Sequence, residues 1–163
     1  MVHIEKKIDA IRGDVINSIL FAVLFLVPLG VSGIIVRASN TGWLPAYFLN
    51  LLLALIIFVL ALIRNRVNIQ IKSIGFIVCL MMLGSSSFFQ NGLLSLSPLY
   101  FLTSIGLATI FFDKRGVAAV VCSSITLTAV VGIYIVSFGN ALPYDVATYL
   151  TSPAAWVSTI LNL

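Results

Sequence analysis

Between Lys72 and Asp113 the chain runs through residues 73–112 without one charged side chain. Nothing constrains the fold more. A bilayer core about 30 Å thick needs about 20 helical residues per crossing, so this stretch holds two crossings. The turn signal Gln90-Asn91-Gly92 divides it into spans at 73–89 and 93–112. Charges bracket three further runs of the same kind. Asp14 and Arg37 flank a span at 16–36, Arg37 and Arg64 one at 43–63, and a fifth follows Lys114-Arg115 at 117–138. Lipid offers backbone amides no partner, so these runs are helices. Barrel strands would be about ten residues long with alternating polarity, which they are not.

Composition agrees. Hydrophobic residues make up 61% of the 163 residues and charged residues 9%, against about 25% charged in soluble domains. The net charge of +4 comes in small basic groups between apolar runs. No basic stripe with interleaved aromatics appears, which excludes nucleic acid as the expected partner and leaves the lipid bilayer. Cys79 and Cys122 both fall inside apolar runs and are expected as buried free thiols. The first apolar run is about 21 residues long, beyond the 7–15 of a signal-peptide core, and is expected to be retained as an anchor.

Basic residues set the orientation. Lys6, Lys7 and Arg12 precede the first span, Arg64, Arg66 and Lys72 follow the second, and Lys114 and Arg115 precede the fifth. Alternate segments thus hold eight of the nine basic residues, with Arg37 alone on the other side. This predicts five spans with a cytoplasmic N-terminus. Trp43 and Tyr47 at the start of the second span, and Trp156 near the chain's end, are expected as anchors at the outer interface.

Residues 1–13 carry Ile4, Ile8 and Ile11 at helical spacing opposite Lys6, Lys7 and Asp9. They read either as a surface-lying amphipathic helix or as a solvated tail. Residues 14–138 form the five-helix transmembrane domain. Residues 139–153 form an outer segment. Residues 154–163, half the length of a crossing, read as the start of a truncated sixth helix.

Catalytic signals are sparse. The single histidine is His3, and the five acids, Glu5, Asp9, Asp14, Asp113 and Asp145, lie outside the apolar runs. No phosphate loop or metal-ligand cluster appears, so no cofactor and no enzyme activity are expected within the chain. Intramembrane polar residues remain. Asn50, Ser85, Ser86 and Ser124 could contact a small ligand or, as is commoner, hydrogen-bond neighbouring helices. Pro28 and Pro98 fall inside apolar runs and could act as hinges or as static kinks.

The layout resembles the N-terminal multi-span membrane regions of bacterial sensor histidine kinases and diguanylate cyclases. The resembling features are Trp43 and Tyr47, Arg64-Asn65-Arg66, the Phe89-Gln90-Asn91-Gly92-Leu93 turn, Asp113-Lys114-Arg115-Gly116, and Ser152-Pro153-Ala154-Ala155-Trp156. The resemblance implies a sensory input domain of a signal-transduction protein, such as a two-component system, in a bacterial inner membrane. It also implies a homodimer, an unidentified signal molecule, and an output domain beyond Leu163. No phosphoacceptor, nucleotide-binding or cyclase motif lies within these residues. A small transporter or channel subunit, and a non-catalytic membrane assembly partner, are the readings from other classes.

Overall fold

The computed structural model describes residues 2–91, 95 and 97–138. The described chain is all-helical: α1 (Val2–Thr41), α2 (Pro45–Leu62), α3 (Ile69–Asn91), α4 (Ser97–Phe111) and α5 (Lys114–Phe138). Neighbouring helices pack against one another in sequence, and α3 also meets α1 and α5.

Short local signals set the helix ends. Gly42, at φ 83°, adopts the left-handed conformation that closes α1. Pro45 then opens α2, where its missing N–H costs nothing. Asn68 Oδ1 accepts from Gln70 N at 3.2 Å and caps α3. Asp113 Oδ1 accepts from Gly116 N at 3.0 Å and caps α5.

One stripe of each helix faces the core. Ile16 and Leu20 of α1 share one buried core with Leu53, Ile57 and Ala61 of α2, Phe76, Ile77 and Leu80 of α3, and Phe101, Ala108 and Phe111 of α4. The i, i+4 spacing is that of a helix with one buried face. The opposite faces expose large apolar side chains, among them Phe25, Leu102, Ile125 and Ile133. Outward apolar surface on this scale suits a hydrocarbon solvent.

Four helical stretches are long and apolar enough to cross a membrane: Lys7–Asn40, Pro45–Leu62, Ile69–Gln90 and Lys114–Ile135. The expectation of five complete spans is corrected at α4. It holds 15 residues, about 22 Å at 1.5 Å per residue. The helix starts at Ser97 because the Ser-Pro pair marks a helix beginning. The expected sixth helix, the outer segment 139–153 and Trp156 lie outside the described residues.

The N-terminus needs a second correction. Residues 2–13 are helical, but no boundary separates them from the first span. α1 is one helix of 40 residues, about 60 Å long. It continues through Pro28 and includes Arg37, which therefore sits in a helix and not in a connection.

Basic residues gather at one end of the bundle. Lys72 Nζ, at the start of α3, bonds Asn17 of α1 and the Arg64 carbonyl at the end of α2. At the opposite end the rings of Phe89 and Tyr134 lie 5.0 Å apart, so α3 and α5 run parallel. Lys114 and Arg115, which begin α5, thereby share an end with Arg64, Arg66 and Lys72.

Candidate functional site

Two polar constellations interrupt the apolar packing, one at each end. At the basic end, Lys72 is only 3% exposed. A buried ammonium is costly unless its protons find acceptors. Here Nζ donates to Asn17 Oδ1 at 2.7 Å and to Arg64 O at 2.9 Å. Arg64 itself lies 5.0 Å over the Phe21 ring, a cation–π distance. Gly13 is buried against Ile69, whose Cδ1 would lie 3.2 Å from a Cβ added there. Gly13, Asn17 and Phe21 recur every four residues, which places them on one face of α1. Arg64 of the α2–α3 connection and Ile69 and Lys72 of the first turn of α3 grip that face at three successive turns, and this clamp ties α1 to both helices.

At the opposite end, α4 begins level with Gly84 of α3. Ser97 Oγ donates to Gly84 O at 2.7 Å. A Cβ on Gly84 would lie 3.1 Å from Tyr100 Cβ, so glycine lets the two helices approach closely. Ser97's one hydroxyl proton goes to the Gly84 carbonyl. Ser95 must therefore donate across the 2.6 Å Ser95–Ser97 contact. Gln90 Nε2, buried, donates to Ser86 Oγ at 3.1 Å and Ser86 O at 3.3 Å. The last two turns of α3 rise beyond the start of α4 and carry Ser86 and Gln90 there.

The residues singled out from sequence distribute as follows. Ser85 Oγ donates to Met81 O at 2.9 Å and Ser124 Oγ to Val120 O at 2.8 Å, both back to their own helices. Asn50 differs: its Oδ1 is buried and accepts no hydrogen bond among the described residues. Trp43 is exposed and stacks on Phe48 with centroids 5.3 Å apart. Tyr47, in the first turn of α2, is 2% exposed and packs against the bundle. Pro28 lies in the interior of α1. Pro98 is the second residue of α4, where a proline removes no intrahelical hydrogen bond, so it is no mid-span hinge. Lys7, Arg66, Lys114 and Arg115 are exposed. Arg12 pairs with Asp9 at 3.8 Å. Of Lys6 only the helical backbone is described. Cys79 is buried as expected, whereas Cys122 is exposed on the outer face of α5, a correction.

Asn17, Ser95 and Ser97 were not singled out from sequence. Asn17 opens an apolar run and has a partner 55 residues away. Ser97 could have been found from the Ser-Pro helix-start signal. No three His, Cys, Asp or Glu residues group as metal ligands among the described residues. The polar groups of the two constellations bond to neighbouring helices or to their own; among the described residues none pairs a nucleophile with a base.

No family model, no curated protein and no solved structure matches the chain.

Proposed function

We propose that this chain is the membrane-embedded input domain of a signal-transduction protein in a bacterial inner membrane, with its N-terminus in the cytoplasm. The observation that carries the reading is the buried, unpartnered Oδ1 of Asn50, five residues into α2. Leaving a buried acceptor without a donor costs about 1–3 kcal/mol. A signal molecule that supplies a donor relieves that cost and so favours the arrangement of α1 and α2 that admits it. α1 and α2 meet again at the clamp, where Lys72 and Arg64 hold Asn17 and Phe21. A shift of α2 near Asn50 would thereby be felt at the basic end, where α2 meets α1 and α3. An output domain downstream of Leu163, with the chain as a homodimer, completes the reading.

The coding sequence downstream of Leu163 tests it. An in-frame kinase, cyclase or other cytoplasmic output domain supports the proposal. A stop codon there would overturn it. In the full-length protein, Asn50→Leu is expected to abolish the response to signal while leaving basal output intact. Solute flux in proteoliposomes would favour a transporter instead. Stable co-purification with one membrane complex, without any signal response, would favour an assembly partner.

A further inference from the structure

A groove of 460 Å³ runs between α4 and α5 at the basic end of the bundle. Its walls are apolar, formed by Phe112, Val117 and Val121. Lys114, Ala118 and Cys122 line its α5 side at i, i+4 and i+8, all exposed. Lys114 therefore stands at one end and Cys122 about 12 Å along the helix axis. The small side chains of Ala118 and Cys122 leave the channel open between them.

The polar groups at the rim are unequal. Thr109 Oγ1 donates to Gly106 O at 2.7 Å and is turned to its own helix. The Asp113 carboxylate is held against the start of α5 by Gly116 N. Asp113 and Lys114 line the groove, and Arg115, next in the chain and outside the lining, is exposed beside its mouth, so these exposed charges leave a net positive charge there. A cationic head above an apolar channel open to the bilayer matches an acidic phospholipid. We infer that this groove is a binding site for one acidic phospholipid, its phosphate on Lys114 and Arg115 and an acyl chain lying past Ala118 toward Cys122. The charge at the mouth selects an anionic headgroup over a zwitterionic one.

Native mass spectrometry of the full-length protein, released from detergent with equal phosphatidylglycerol and phosphatidylcholine of matched chains, tests the site. Preferential retention of one phosphatidylglycerol is expected. Lys114→Gln with Arg115→Gln is expected to lower that retention by about thirtyfold, the factor that ~1 kcal/mol for each of the two basic residues gives. Ala118→Trp, which fills the channel, is expected to lower retention of both lipids. Lys7→Gln with Arg66→Gln removes as much charge at the same end and is expected to leave retention unchanged. Equal retention of the two lipids would overturn the inference. So would a loss in the Lys7 and Arg66 variant matching that in the Lys114 and Arg115 variant. Unchanged thermal unfolding of each variant confirms that binding, and not folding, was altered.

Discussion

Lys72 and Asn17 are unequal partners. Lys72 brings a charge into the bundle, and Asn17 supplies one of the two acceptors that make this tolerable. Removing the acceptor strands a buried ammonium, while removing the ammonium takes its demand away. Asn17→Ala is therefore expected to destabilise the protein by about 1–3 kcal/mol, and Lys72→Met by less, in denaturant titrations of the detergent-solubilised protein. The reverse order would contradict the clamp. Ser97 gives a smaller case. Its bond to Gly84 O crosses between α4 and α3, and such interhelical bonds in membrane proteins average about 0.6 kcal/mol with a maximum near 1.7. Ser97→Ala should fall in that range by the same measurement. Neither pair could be read from the sequence. Lys72 was legible as a basic residue at a span boundary, but its burial depends on α1, 55 positions away in the chain. Asn50 was legible as an intramembrane amide, since polarity inside an apolar run shows in the sequence; that its oxygen has no donor depends on how the helices pack around α2.

The elements were legible wherever a charge or a helix breaker marked an end. α2, α3 and α5 lie close to their expected ranges because Pro45, Asn68 and Asp113 act locally. α1 ran past its expected start because nothing between Val2 and Thr41 stops a helix except Pro28, which α1 accommodates. Charge at residues 9, 12 and 14 changes what surrounds a helix without ending it. α4 starts later than the apolar run that contains it because Pro98 belongs to its first turn and not to its interior. The two prolines should therefore respond differently. Pro28 is exposed in mid-helix, so Pro28→Ala restores a hydrogen-bond donor and is expected to raise thermal stability. Pro98→Ala is expected to change it by no more than about 0.5 kcal/mol. The α3–α4 contact predicts the opposite of tolerance. Gly84→Val forces side-chain volume against Tyr100 and Phe101, and is expected to cost about 1–3 kcal/mol in thermal unfolding.

At the scale of the whole molecule, the arrangement follows from two constraints acting together. Apolar runs of this length need hydrocarbon around them, and short connections force neighbouring helices to alternate in direction. The result gathers the basic residues at one end and leaves Arg37 in the other half of the bundle, near the far end of α1. Under the positive-inside rule the crowded end would face the cytoplasm, as the proposal requires. The signalling proposal depends on that geometry, because the clamp of Lys72, Arg64 and Asn17 then lies on the side where an output domain would act. The lipid groove beside Lys114 would likewise open into the cytoplasmic leaflet. Single-cysteine variants at Asn40, Arg66 and Arg115, made with Cys79 and Cys122 replaced by alanine and treated in sealed vesicles with a membrane-impermeant maleimide, measure this directly. Positions 66 and 115 are expected to label from the cytoplasmic side and position 40 only from the opposite side. Labelling of positions 40 and 66 from the same side would contradict the bundle as a membrane-crossing structure.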